Sequence, residues 1–463
     1  MADILLTHGY FLGEDEAEKR IMKPYPPLGI LSISAYLKSR GFTVDIFDST
    51  FSSFPAFLAR LDADRPGVVG LYVNLMTKIP VLRMIRACKE RGCTVVVGGP
   101  EVPFYGEEFL ARGADVAVIG EGELTLEELL PHLARHGPAG MTHIHGILYR
   151  EADGTLVRTP ERALIPDLDA LPLPDRAAID MRAYVDTWRK HHGRGSVSLI
   201  CSRGCPFTCT WCSRSVFGDT HRRRAPERVV DEIERIMAAY GPDQLWFADD
   251  VFTINHRWLR DFHAAMTRRG LRVPYECISR ADRLTDEILG LMKETGCFRI
   301  WYGSESGSQR ILDAMQRRVT VERIREVTAL ARRHGIESGF FVMLGYPGEE
   351  IADIDATVRL LKESRPDHYL TTVAYPIKGT PLYDEVRDRL IAGPSWESIT
   401  DRQRNFRGRH SDRFYWFATR HLVNDVLADR LRREGGGVPA RFAAAAKSRI
   451  ARLGMRLTAH ART

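Results

Sequence analysis

Apolar positions along this chain follow two different periods, and the switches between them mark its elements. In residues 1–135 the runs ILLT, TVDIF, VVGLYV, TVVVGG and DVAVIG are short and β-branched, as in parallel strands buried on both faces. Between them lie helical patterns such as LGILSISAYLKSRG, closed by Gly41, and IPVLRMIRACKERG, closed by Gly92. Five strands with crossover helices predict a doubly wound, Rossmann-like sheet, which takes ligands at the carboxyl ends of its strands. Residues 136–195 change character: HIHGILYREADGTLVR reads as a hairpin turning at Asp153-Gly154, and IPDLDALPLPDR as a proline-rich connector.

From Ser196 the alternation resumes with SVSLIC, QLWFAD, VPYECI, FRIWYG, GFFVML and HYLTTV. Helices are expected to start near Pro226, Asn255, Thr285, Ser308, Thr320 and Glu350. Six such units predict a partial (β/α)6 barrel, short of the eight of a closed one. After Pro381 the pattern is mostly helical. The expected division is a sheet domain over 1–137, a hairpin and linker over 138–195, the barrel over 196–385 and a helical basic region over 386–463.

Composition changes this picture little. The chain has 463 residues and a net charge of +6, ordinary for a multidomain globular protein. The charge is uneven: residues 401–463 hold 15 Lys and Arg against five Asp and Glu. That clustering reads as a solvated helix face, with an anionic substrate, a carrier protein, lipid or nucleic acid as the alternatives, and no nucleic-acid partner is expected. The opening MADILLTHGY lacks the basic and apolar regions of a signal peptide, and no run is apolar enough to span a bilayer. A cytoplasmic protein is expected.

The chemistry concentrates in CSRGCPFTCTWC, where Cys205, Cys209 and Cys212 have C-x3-C-x2-C spacing. Three thiolates can bind one metal centre and leave its fourth position to a non-protein ligand. The run follows the first barrel strand directly, so it lies on the first βα loop, at the face where catalytic groups of such barrels gather. A four-cysteine zinc site using Cys201 is the alternative, but the paired knuckles of zinc ribbons are absent. Cys88, Cys93, Cys277 and Cys297 stand singly in apolar patterns and read as core.

This run, opening six βα units, resembles the radical S-adenosylmethionine (SAM) superfamily. The resemblance implies a [4Fe-4S] cluster on Cys205, Cys209 and Cys212, with SAM on the open iron and Cys201 outside the ligand set. It places Trp211 against the adenine and Asp249 and Asp250 at the SAM amino group. Arg280, in ISRAD, would grip the SAM carboxylate; Glu305, in GSESGS, would meet the ribose or Arg280; Gly345, in MLGYPGE, would lie beside the adenosine. Phe207, Trp211 and Tyr346 are candidates for sealing the pocket.

ProProLeuGly at 26–29, GlyGlyPro at 98–100 and GlyGluGlyGlu at 120–123 resemble the cobalamin-binding domain fused to such enzymes. The implied cobalamin contacts are Asn74, Leu75 and Met76 facing the cobalt, and Gly98, Gly99, Gly120, Glu121 and Gly122 beside the nucleotide tail. The Asp-x-His-x-x-Gly motif that supplies a cobalt ligand is absent; His8 reads as a loop residue. The resemblance implies SAM-derived radical chemistry that methylates an unactivated carbon of a small or carrier-bound intermediate. The alternative is cyclisation or rearrangement without methyl transfer. An electron donor of flavodoxin or ferredoxin type is the expected partner. Arg222-Arg223-Arg224, after the cysteines, read as a solvated loop, with phosphate or carboxylate contacts as the alternative.

Overall fold

A computed structural model describes residues 2–460. They form two compact units that interleave along the chain. The first comprises residues up to Pro206, Ser213–Ala248 and Pro394–Thr400; the second comprises Phe207–Cys212, Asp249–Gly393 and the chain from Asp401 onward.

The first unit contains a seven-stranded sheet of β1 (Ile4–His8), β2 (Val44–Phe47), β3 (Val68–Tyr72), β4 (Thr94–Gly98), β5 (Val116–Val118), β6 (Ile147–Arg150) and β7 (Leu156–Arg158), ordered β2-β1-β3-β4-β5-β6-β7. The first five strands pair in parallel, as expected from their unbroken apolar runs. Both faces are buried, and side-chain alternation divides them: Leu5, Val95 and Val97 enter one core, Ile4, Leu6 and Val96 the other. Each such residue contributes about 1.5–3 kcal/mol of burial.

The hairpin turns at Asp153-Gly154, where Gly154 has φ +87°. It does not stand apart as a connector. β6 pairs antiparallel with β5 and extends the sheet, because Ile147, Leu148 and Tyr149 are too apolar to leave in solvent. The proline-rich stretch is fastened too: Asp175 accepts from Ser34 at 2.7 Å and pairs with Lys38 at 2.7 Å.

Two further parallel strands of the first unit, β8 (Ser196–Leu199) and β11 (Gln244–Phe247), bracket a short ladder of β9 (Ser202–Arg203) and β10 (Arg222–Arg223). In the second unit β12 (Tyr275–Ser279), β13 (Cys297–Glu305), β14 (Glu337–Leu344) and β15 (His368–Val373) pair in parallel in that order. The helices between them begin where polar caps were read. Asn255, Thr285 and Thr320 each accept a backbone N–H from the first turn, and Glu350 forms a capping box with Asp353.

The C-terminal region divides between the units. Residues Pro394–Thr400 belong to the first, where the Trp396 ring packs on Phe109 at 5.0 Å and Tyr105 at 5.5 Å. Beside it the buried Lys78 ammonium donates to the carbonyls of Trp396, at 2.7 Å, and Ile399. In the second unit the helices Asp412–Arg433 and Val438–Thr458 form a hairpin. Its turn is glycine-rich, Ser448 meets His421 at 2.9 Å, and the packing buries Phe414, Leu422, Ala444, Ala451 and Met455. Among the described residues no helix is long and apolar enough to cross a membrane.

Candidate functional site

The cysteine loop is closed at its base by the β9–β10 ladder and by carboxylates from the N-terminal sheet. Arg203 pairs with Glu121 at 2.7 Å and Glu123 at 2.5 Å, and Arg222 pairs with Glu121 at 2.8 Å. Glu121 also accepts the N–H of Ile165 at 2.7 Å. Both oxygens of this buried carboxylate are engaged inside the unit, so Glu121 fixes the loop base. The arginine run is therefore not a solvated loop: Arg222 and Arg224 pair inward, the latter with Glu232, because their charges close the buried base. Gly204, just before Cys205, has φ +87°, and a Cβ there would strike the Thr220 and Phe217 carbonyls.

Cys205 is half-buried in the first unit; Cys209, buried, and Cys212, exposed, belong to the second. All eight cysteines are free of disulfides, and Cys88, Cys93, Cys277 and Cys297 are buried as expected. Among the described residues no three His, Cys, Asp or Glu side chains stand together at metal-binding distance. What surrounds Cys209 suits a thiolate ligand. Arg280 and Arg317 each direct an N–H at its Sγ at 3.6 Å, so two cations face the sulfur.

Arg280 is 2 % exposed, and its fork is fully occupied. Nε donates to Asp282 at 2.9 Å, Nη1 to Cys209, Nη2 to the Arg317 carbonyl at 2.7 Å, and the guanidinium lies 3.7 Å from the Phe207 ring. Read from sequence as a carboxylate grip, Arg280 is here a brace for the cysteine, since buried donors must be satisfied. Burial, and after it Arg317, lower its pKa. Phe207, read as a seal, is the surface on which it stacks.

Glu305 owes its position to a register break in β13 at Ser304 and to a left-handed φ of +48°, rare for a residue with a side chain. Burial raises its pKa to about 7, against the opposing charges of Arg317, 3.9 Å away, and Arg280. A Cβ at Gly303 would displace the Glu305 carboxyl and the Arg317 guanidinium from these positions.

Arg317 was not read from the sequence. It stands in QRRVT between Gln316 and Arg318, both at φ +51°, and donates to the Gly303 carbonyl at 3.1 Å as well as to Cys209. No residue type in that stretch signals it, because the double left-handed turn that places it is not legible in the sequence. Glu349 was also missed, although its motif was quoted. It accepts the Gly345 N–H at 2.5 Å, and burial raises its pKa to about 8. Gly345, at φ +78°, is buried under Tyr415. Tyr346 is a brace as well: its hydroxyl meets Thr210 of the cysteine run at 2.7 Å and donates to the Ala314 carbonyl at 3.1 Å. Trp211 packs half-buried on an apolar cluster with Met315 and Leu382. Asp249 is buried and Asp250 exposed.

The first unit holds a cavity of about 630 Å³ at the carboxyl ends of β1 and β3. His8, Tyr10, Tyr25, Gly29, Asn74 and Met76 are among its lining. Leu75, Gly98, Gly99, Gly120, Glu121 and Gly122 do not line it. Gly99 has φ +115°, and a Cβ there would strike the Val73 carbonyl, so it serves the strand end. His8 ends β1 and is buried, not a loop residue. Its Nε2 meets Asp48 at 3.1 Å and its Nδ1 accepts the Tyr10 N–H at 3.2 Å, so neither nitrogen is turned to a metal. Burial would raise the Asp48 pKa, but His8, the Thr50 N–H and the Tyr184 hydroxyl hold it below the usual range. In that lining the Asn74 side chain folds the turn before the helix Lys78–Lys89, accepting the N–H of Met76 at 2.9 Å and of Thr77 at 3.0 Å.

Residues 199–361 match the radical SAM superfamily, and residues 20–130 match the B12 binding domain. The chain therefore carries both a B12 binding domain and a radical SAM domain. It is 29% identical over 384 residues to an uncharacterized methyltransferase of Pyrococcus horikoshii, covering 81% of this chain and 82% of that one. It is 27% identical over 376 residues to the anaerobic magnesium-protoporphyrin IX monomethyl ester cyclase of Rubrivivax gelatinosus, covering 79% and 67%. Among solved structures, the radical SAM methyltransferase TsrM of Kitasatospora setae, with tryptophan and a SAM analogue bound, matches with TM-score 0.71. That match covers 92% of this chain and 88% of the other at 19% identity, and supports the fold. The cofactors of this enzyme class are a [4Fe-4S] cluster, SAM and cobalamin.

Proposed function

We propose that this enzyme methylates an unactivated carbon of a small-molecule or carrier-bound intermediate. The observation that carries the reading is the 630 Å³ cavity, in whose lining both His8 nitrogens are already engaged by Asp48 and the Tyr10 N–H, which suits a corrinoid without a protein histidine below the cobalt. When bound, the cluster and SAM supply radical chemistry and the corrinoid a transferable methyl group. Cys205, Cys209 and Cys212 hold the cluster. Arg280 and Arg317 keep Cys209 in a cationic setting, and Glu305 adjusts that charge. Trp211, Asp249, Asp250 and Gly345 are the remaining SAM-side residues, and Asn74 and Met76, which line the cavity, form the floor of the corrinoid site. Residues 1–137 form the corrinoid domain, whose sheet the hairpin within 138–195 extends, with 196–385 the catalytic barrel and 386–463 the element that selects substrate. The protein works in a reducing compartment, the cytoplasm, as its eight free cysteines suit, with a flavodoxin or ferredoxin as electron donor. Its likeness to a cyclase supports a second reading, ring closure or rearrangement without methyl transfer.

The test is anaerobic reconstitution with iron, sulfide and cobalamin, followed by incubation with methyl-labelled SAM, a strong reductant and extract metabolites. Label in a product together with deoxyadenosine supports methylation. Deoxyadenosine with an unlabelled product supports cyclisation. A protein that takes up corrinoid but never cleaves SAM overturns both.

A further inference from the structure

The helix Val438–Thr458 has two unlike faces. Ala444, Ser448, Ala451 and Met455 are buried against its partner helix. On the opposite face, at helical spacing, Phe442 is 73%, Ile450 68%, Leu453 57% and Leu457 74% exposed. The helix holds Arg441, Lys447, Arg449, Arg452 and Arg456 and no acidic residue. At 100° per residue the apolar arc is flanked by Arg449 and Arg456 on one side and Lys447 on the other. The partner helix adds exposed Trp416, with Arg420 stacked 3.6 Å from its ring.

Beside Phe442 opens a cleft of about 290 Å³ lined by Lys362, Asp425, Asp429, Arg432, Arg441 and Arg449, among others. Its acids are already engaged, Asp425 by Lys362 at 2.9 Å and Asp429 by Arg432 and Arg433. Arg441 and Arg449 remain as its uncompensated cations.

Exposed large apolar groups flanked by cations, without a carboxylate among them, fit an anionic lipid interface. Pairing this face with a second copy would set arginines against arginines. We propose that the helix Val438–Thr458 docks the protein flat on an anionic phospholipid surface. Phe442, Ile450, Leu453 and Leu457 lie at the acyl boundary, and the flanking Arg449 and Arg456 meet headgroup phosphates.

Cosedimentation of the full-length holoenzyme with vesicles tests this. Vesicles of phosphatidylcholine with phosphatidylglycerol should retain the protein, and phosphatidylcholine alone should not, with binding weakened by salt. Each arginine near the surface is worth about fivefold in affinity, so Arg449→Gln with Arg456→Gln should weaken binding roughly 25-fold. Leu453→Ser with Leu457→Ser should weaken it at unchanged charge. All four positions are outside the cofactor-holding residues, so iron and corrinoid content should stay as in the parent. Failure of the parent to bind anionic vesicles overturns the proposal, as does undiminished binding by both variants. Concentration-dependent self-association that Leu453→Ser with Leu457→Ser abolishes, without vesicle binding, overturns it in favour of a second copy.

Discussion

Replacing Glu305 by Gln should remove a defined part of the pH dependence of stability in the cofactor-free protein. Burial raises this carboxyl from its ordinary 4.5 to about 7, with Arg317 and Arg280 opposing only part of the effect. On unfolding the side chain returns to its ordinary value, so between these pH values the folded form holds the proton more tightly. Its contribution is complete below about pH 4.5 and falls as pH rises through about 7. At about 1.4 kcal/mol per pH unit, the full span is up to roughly 3 kcal/mol. Gln keeps the shape and cannot ionise, so the variant should match the parent near pH 5 and exceed it by about 2–3 kcal/mol at pH 8. Urea unfolding followed by tryptophan fluorescence at several pH values reads this difference directly. Glu349, raised to about 8, keeps its own slope in both proteins and cancels in the comparison. An equal difference between variant and parent at pH 5 and pH 8 would refute the argument. It would mean that Glu305 is already ionised in the fold, neutralised by its guanidinium neighbours.

Arg317→Gln leaves Glu305 without its nearest cation and Cys209 with one guanidinium. It should cost about 3 kcal/mol by urea unfolding and move the cluster midpoint to more negative potential in a redox titration. Arg317→Lys should not rescue it, since a point charge cannot reach Cys209 and the Gly303 carbonyl together. Cys201→Ser should retain iron and the near-400 nm absorbance, whereas Cys209→Ser should lose both.

The layered organisation was legible because period and caps are local. Strands β1 to β5 announce themselves as unbroken apolar runs, and Asn255, Thr285 and Thr320 mark helix starts whatever surrounds them. The cysteine run was legible for the same reason, since its spacing lies within one loop. Roles that depend on distant pairing were not. Glu121 and Gly122 sit in a glycine-rich strand end that could equally cradle a ligand, and only the fold brings Arg203 and Arg222 to that carboxylate. Arg280 looked poised for the SAM carboxylate because nothing in ISRAD shows that Cys209 and the Arg317 carbonyl will claim its donors. Arg317 is set by the shape of a turn, which residue identity alone does not signal. Nor did the hairpin's sequence show that β5 would want another neighbour.

The segment carrying Trp396 has a consequence for how the protein is made. Lys78 has its carbonyl partners, and Phe109 its ring partner, in a stretch that leaves the ribosome long after the sheet they belong to. At ordinary synthesis rates that delay is on the order of ten seconds or more after Ala248 emerges. Through it the nascent sheet must hold an aromatic patch and an ammonium group that have no protein cover. Over that interval the newborn chain should be more prone to aggregate than the finished protein. A gene truncated before Pro394 should yield a first unit that is sticky rather than merely inactive.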